Sequence, residues 1–381
     1  MRLFPPVPKA VPESYWRNGI SESSLATNWG SVAVKVQRLK TKAGEQTQIY
    51  FDASLDESGF SPEALERLTD VAIRLPYEEA SIVAAKFGLK LSRTLLNSLT
   101  HSYAISCQQS VSEQLLTAEA AKARDVEVKE QATDPSTAAG RAMVLQLDGV
   151  RVLGQPKAGE CPGMELKSAV LYPQNSPSDR WMLADRCSSQ ELLPQLAGLL
   201  NQAGVRSQDT LIGLGDGADW VEASLDTLSD LRITDVYHAT EYLDLIMQAM
   251  NWDEDKRKHH RQSWYRAEVN ARDWLQAHLP NPEVWLSWDD KAQTACRYLE
   301  TRLDSMDYSD FAAKGFPIGS GQVEAMNKAV IGHRLKRSGM RWSQTGARAM
   351  ASLRAQTCAR HSLIHFHNLR FEAFPVPHLS P

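Results

Sequence analysis

Apolar residues recur at helical spacing from Ser61 onward and give way to short strand-like runs after Arg141. Three helices are predicted between 61 and 103. Ser61 suits an N-cap, Pro62 the first helical position, and Leu65, Leu68, Val71 and Ala72 repeat on one face. A second helix fits 77–87 and stops at Gly88, and Ser92 can cap a third running through Leu95, Leu96, Leu99 and Tyr103. Two short helices around a glycine-containing turn have the length of a helix-turn-helix, and purely structural three-helix packing is the alternative. On the DNA-binding reading, Lys90, Ser92 and Arg93 at the start of the third helix would meet DNA. Upstream, residues 1–60 carry Pro and Trp punctuation and two strand-like runs, 32–36 and 48–51. They read as an arm or small accessory domain.

A helix running into a linker is predicted over 117–141. Beyond it come strand-like runs at 143–147, 150–153, 164–172 and 180–184, then a helix over 190–203 that Gly204 ends. Further strands fit 210–214 and 231–236, and a helix fits 240–250. The order is three strands, a helix, a strand, a helix, a strand, a helix: an α/β fold with a mixed sheet of the ribonuclease-H kind. Residues 253–313 are helical, rich in Trp, Arg and Glu, and look like an insertion. A glycine-rich turn at 316–321 opens a last long helix, 322–338, which Gly339 closes. The implied division is 1–60 (arm), 61–140 (helical DNA-binding domain and linker), 141–250 (first part of the catalytic domain), 251–315 (helical insertion) and 316–381 (catalytic helix and basic region).

Composition adds constraints. The 381 residues suit two or three domains, and 43% apolar with 23% charged residues is ordinary for a folded protein. The five cysteines are scattered, which argues against a zinc-knuckle or a disulfide framework and for reduced, structural thiols. No run reaches the roughly 18 apolar residues of a membrane span, so a cytoplasmic protein is expected. A net charge of −4 speaks against a nucleic-acid partner, but its distribution speaks for one. Between Ala325 and Phe371 there is no Asp or Glu, while Lys328, Arg334, Lys336, Arg337, Arg341, Arg348, Arg354, Arg360 and Arg370 all fall there. A basic block in an acidic chain is the footprint of a polyanion, with a solvated basic face as the alternative.

Three acids then stand out. Phosphodiester cleavage by two divalent metals needs acidic oxygens converging from different elements. Asp148 is expected at one strand end, Asp216 at another, and Glu324 in the first turn of the last long helix, where the helix dipole favours a negative charge. Gly149, Gly217 and Gly321 nearby would leave room for metal and DNA backbone. Taken singly, Asp148-Gly149 is also a common hairpin turn, 215–217 a loop, and Ser320 with Glu324 a helix cap. The 213–218 segment does not satisfy the dinucleotide fingerprint, because Ala218 stands where its last glycine belongs.

Several motifs around these acids resemble one family. GDGADW (215–220), DVYHATEYL (235–243), GSGQVE (319–324), RLKRSGMRW (334–342) and LRA (353–355) are similar to motifs of the ISKra-type bacterial insertion-sequence transposases. The resemblance extends over roughly 60–372. It implies a ribonuclease-H-like catalytic domain interrupted by a helical insertion, with Asp148, Asp216 and Glu324 as a DDE triad that is both catalytic and metal-binding. Asp235 and His238 resemble an auxiliary pair of related transposases.

The function so implied is metal-dependent DNA strand cleavage and strand transfer. It would use two Mg2+ ions, with Mn2+ able to substitute, and act as a homo-oligomer on the terminal inverted repeats and target DNA. Arg334, Lys336, Arg337, Arg341 and Trp342 would line a groove leading from the metals, with Trp342 stacking a frayed base. The alternatives are an inactive or domesticated DNA-binding protein, a ribonuclease-H-like nuclease that cuts without joining, and a glycoside hydrolase pairing Asp216 with Glu324. The basic tract disfavours a neutral sugar.

Overall fold

The computed structural model describes residues 16–27, 30–42, 44, 46–50, 60–116, 140–156 and 162–364. The chain forms two compact units, Met1–Ser110 with Ile364–Pro381, and Val111–Leu363.

The first unit begins with an antiparallel meander, β1 (Trp16–Thr27), β2 (Gly30–Lys40) and β3 (Gln46–Tyr50), in spatial order β1-β2-β3. The two expected runs fall in β2 and β3, except that Phe51 lies outside the described residues. β1 is not legible in its polar sequence. It is held by pairing with β2 from Trp16 to Thr27, broken once between Arg17 and Ile20, where Gly19 takes φ 87°.

Three helices follow: α1 (Pro62–Arg74), α2 (Tyr77–Lys86) and α3 (Arg93–Leu116). Ser61 Oγ accepts the Ala64 N–H at 3.3 Å, and Ser92 Oγ accepts the Leu95 N–H at 3.1 Å. These are the N-caps the sequence suggests. Leu65, Leu68, Ala72, Ala80, Ala84, Leu89 and Leu96 form their common core. α3 runs past Tyr103 to Leu116. The helix and linker expected next fall, up to residue 139, outside the described residues.

The second unit holds a five-stranded mixed sheet: β4 (Ala142–Leu153), β5 (Gly163–Pro173), β6 (Trp181–Asp185), β7 (Thr210–Gly215) and β8 (Leu231–Thr234). Its order is β6-β5-β4-β7-β8, antiparallel across β6-β5-β4 and parallel across β4-β7-β8. That order is compatible with the ribonuclease-H kind of sheet. Five consecutive residues of β4, Met143–Leu147, are buried, as in a strand covered on both faces. Helices α4 (Ser189–Gln202), α5 (Asp219–Leu228) and α6 (Val236–Ala249) alternate with the strands. Residues 254–313 carry α7 (Glu254–Tyr265), α8 (Ala271–His278), α9 (Pro282–Trp285), α10 (Asp290–Glu300) and α11 (Tyr308–Ala313). The four cysteines among the described residues are free thiols. Among those residues no helix is long and apolar enough to cross a membrane.

Two expectations are corrected. Asp148-Gly149 is neither a strand end nor a turn. β4 passes straight through it, paired with β5 from Met143↔Pro173 to Leu153↔Gly163. The single helix 322–338 is instead α12 (Gly321–Asn327), a π-helical turn (Lys328–Gly332) and α13 (His333–Leu335). A π turn displaces carbonyls from the α-helical ladder. Here the buried Arg354 of α14 (Gln344–Cys358) donates to the Ala329 carbonyl and, through Nε, to the Val330 carbonyl at 2.5 Å. Gly339, φ 75°, turns the chain after the helix has ended.

Candidate active site

β4 and β7 run parallel with Gln146 opposite Leu214, so Asp148 and Asp216 each lie two residues beyond a register pair. Asp148 lies within β4 and Asp216 one residue past the end of β7, so the two acids come from adjacent chain segments at matched height. Asp148 is half-buried. Burial pushes its carboxyl up, the Gly149 N–H pulls it down, the nearby Asp216 carboxylate pushes it up, and Asn327 and His238 pull it down. The net shift is upward. Its oxygens accept from Gly149 N and Asn327 Nδ2, both at 2.6 Å.

Asp216 is fixed from behind. Its Oδ1 accepts the Ala218 N–H at 3.0 Å, while Tyr298 of α10 donates to its carbonyl at 2.7 Å. Arg302 donates to the Gly217 carbonyl at 3.0 Å and to Glu222 at 2.6 Å. Helices from 254–313 thus brace the loop that carries the second acid. The glycines do not all serve the expected purpose. A Cβ at Gly149 would meet Glu165 Oε1 at 2.6 Å, and one at Gly217, φ 83°, would meet the Tyr298 hydroxyl at 2.5 Å. Those spaces are filled by protein; of the three, Gly321 alone faces open space.

Glu324 enters from α12. It is exposed and accepts from Ser320 Oγ at 2.8 Å. Two buried side chains set the position of its helix. Gln146 Oε1 accepts the Val323 N–H at 3.0 Å, and its Nε2 donates to Tyr172 Oη at 2.8 Å and to the Gly319 carbonyl at 3.3 Å. Asp235, fully buried, caps α6 by accepting the His238 N–H at 2.9 Å and takes the Ser320 N–H at 2.5 Å. Burial would raise the Asp235 carboxyl, but donors from His238 and Ser320 bring it below the usual range. His238 Nδ1 lies 3.2 Å from Asp235 Oδ1, and that hydrogen bond lifts the imidazole to about 9 against the opposing effect of burial. Asp216 contributes to the same upward shift.

The five residues therefore do not act alike. Asp148 and Asp216 are close enough to interact electrostatically. Asp235 and His238 form a pair that ties β8 and α6 to the glycine-rich turn. Glu324 is separate: among the described residues no three His, Cys, Asp or Glu side chains gather as metal ligands. Magnesium favours hard oxygen donors, and a divalent cation relieves the repulsion of two adjacent carboxylates. The Asp148–Asp216 pair fits such an ion. Sequence reasoning missed Gln146, Asn327 and Tyr298. Gln146 alone carried a signal, a polar residue inside an apolar strand.

The expected DNA-binding residues divide by exposure. Lys336, Arg337 and Arg341 are exposed, as are Lys90, Ser92 and Arg93. Arg334 is a correction: it is fully buried, its guanidinium 5.0 Å from the Trp342 ring centre, and cannot line a groove. Trp342 is half-buried and anchored. Its N–H donates to the Leu153 carbonyl at 3.0 Å, its carbonyl accepts from Gln155 N at 2.9 Å, and its indole N–H donates to the Leu335 carbonyl at 3.1 Å. Arg348 pairs with the buried Asp185 through Nε at 2.6 Å and Nη2 at 3.0 Å. Part of the basic block thus serves the fold.

No protein-family model matches the chain, and no curated protein matches it. Among solved structures, a chain from the crystal structure of the Mos1 strand transfer complex is similar at 12% identity, covering 70% of this chain and 83% of that one, with a TM-score of 0.16. So low a score does not establish a shared fold, and the functional reading rests on the site itself.

Proposed function

We propose that this protein is a metal-dependent DNA strand transferase of the DDE type, a transposase built on a ribonuclease-H-like sheet. The carrying observation is the Asp148–Asp216 pair, one carboxylate on β4 and the other just past the end of the parallel neighbour β7, each two residues beyond the Gln146↔Leu214 register pair. The ordered motifs that resemble those of ISKra-type transposases support the same reading.

Asp148 and Asp216 would hold a divalent ion between them, and Glu324 would complete the set from α12. The bound ions would supply charge stabilisation at phosphorus and a water of lowered pKa. Asn327 and Gly149 keep the Asp148 oxygens oriented, and Ala218 does so for Asp216. Gln146 and Asp235 hold the turn from which Glu324 is presented. His238, protonated at neutral pH and 41% exposed in its side chain, sets a positive charge beside the acids, where a phosphate would be received. Lys336, Arg337 and Arg341, together with Lys90, Ser92 and Arg93 earlier in the sequence, supply exposed donors for phosphates.

The test uses the full chain and the DNA that flanks its coding sequence. New 3′ hydroxyl ends and joined products should form in Mg2+ or Mn2+. Ca2+ should support binding without turnover. Binding without cleavage in any metal would make it a recognition protein, and cleavage without joining would make it a nuclease; either result overturns the proposal.

A further inference from the structure

Two buried oxygen atoms beside Asp148 have no hydrogen-bond partner among the described residues. One is Asn327 Oδ1, on a residue 8% exposed whose Nδ2 already donates to Asp148. The other is Ser168 Oγ, on a residue 1% exposed that stands directly opposite Asp148 in the β4–β5 ladder. Directly opposed residues of an antiparallel pair point to the same face with Cβ atoms about 4.5–5.5 Å apart. α12, which carries Asn327, packs across β4 and β5. Buried polar atoms in folded proteins are ordinarily paired, and those left over call for an explanation.

The chemistry around these atoms is rich in acceptors. Carboxylates at Asp148 and Asp216 accept only, and an amide oxygen accepts only. Asn327 has turned its donor edge to Asp148, which leaves its acceptor edge over. The Asn327 acceptor edge is left without a donor, and a hydrated cation brings donors: magnesium keeps several of its waters, each with two O–H donors. A serine hydroxyl can accept from one such water or donate to a carboxylate as the site fills.

We infer that Asn327 and Ser168 are positioning residues for the divalent-metal site at Asp148 and Asp216: Asn327 Nδ2 orients Asp148, while Asn327 Oδ1 and Ser168 Oγ receive waters of the bound cation. The inference rests on the metal-dependent reading above. Residues that hold ligating carboxylates and hydration waters typically change metal affinity or activity by about 10–100-fold when removed.

The full chain is titrated with Mn2+ in the absence of DNA, and free Mn2+ is read by electron paramagnetic resonance. Wild type should bind Mn2+ in a manner that Asp148→Asn abolishes. Asn327→Ala and Ser168→Ala should each weaken that binding by about 10–100-fold. Removing an unpartnered buried hydroxyl leaves stability unchanged or improved, so Ser168→Ala should melt no lower than wild type without metal, and it carries the test if Asn327→Ala fails to fold. Asp148-dependent Mn2+ binding of wild-type strength in Ser168→Ala and in folded Asn327→Ala would overturn the inference and leave the metal-dependent reading standing. No Asp148-dependent binding in wild type would overturn that reading and the inference with it.

Discussion

The buried side chain of Gln146 accepts the backbone N–H of Val323, 177 residues later in the chain, at 3.0 Å. Two residues beyond Gln146 on its strand stands Asp148, and one residue beyond Val323 on its helix stands Glu324. One hydrogen bond thus sets the spacing between the elements that carry the first and last acids.

Gln146→Leu keeps the volume and removes both polar atoms. The Val323 N–H then has no acceptor inside the protein, and the Gly319 carbonyl and the Tyr172 hydroxyl are each short of a donor. A destabilisation of about 1–3 kcal/mol is expected, the scale of a buried group left unpaired. Denaturant unfolding measures it. Stability equal to wild type would mean that Gln146 does not hold the turn.

His238 gives a pH signature. Its folded value, about 9, lies above the ordinary 6.5 because Asp235 stabilises the imidazolium. A raised value means that the pair's contribution to stability is complete below about 6.5 and is lost as the pH rises through about 9. The imidazole should titrate near 9 by NMR, and Asp235→Asn, which can still cap α6, should return it toward 6.5. An unchanged titration in Asp235→Asn would assign the shift to another cause.

The basic tract makes two separable claims. Replacing the exposed Lys336, Arg337 and Arg341 with Gln should weaken binding to all duplexes alike. The salt dependence should flatten by up to roughly 0.9 log units of slope for each phosphate the protein no longer neutralises. Arg334→Gln should instead lower the melting temperature, since its guanidinium is buried against Trp342. Titrations at several salt concentrations, with melting curves beside them, decide both. An unchanged slope in the folded triple variant would remove these side chains from the DNA interface.

Much of this was legible in the sequence where the cause is local. Ser61, Ser92 and Gly88 mark helix ends because capping and positive φ are decided within a few residues. Asp148-Gly149 misleads for the opposite reason. Its local preference is a turn, and eleven register pairs with β5, from Met143↔Pro173 to Leu153↔Gly163, override it. The run 322–338 keeps an apolar period through a π turn whose carbonyls are met by Arg354, a partner no local pattern announces. Charge also reads ambiguously: Arg334 and Lys336 look alike in sequence, yet one is buried under a tryptophan and the other is exposed. That Asp148 and Asp216 come from neighbouring strand segments could be read from the order of the apolar runs, though not that β4 runs on through Asp148. The residues that orient them, Gln146 and Asn327, could not, because each acts across more than 170 residues of chain.

If Asp148, Asp216 and Glu324 serve one metal-dependent reaction on DNA, strand cleavage must fail in their neutral variants. Asp148→Asn, Asp216→Asn and Glu324→Gln keep shape and remove charge. With DNA binding measured alongside, each should bind duplex within a few-fold of wild type and cleave it in Mg2+ about 100-fold more slowly or worse, the scale of forfeiting several kcal/mol of charge stabilisation. Near wild-type cleavage in Mg2+ by Asp148→Asn or Asp216→Asn would show that the pair does not hold the catalytic metal.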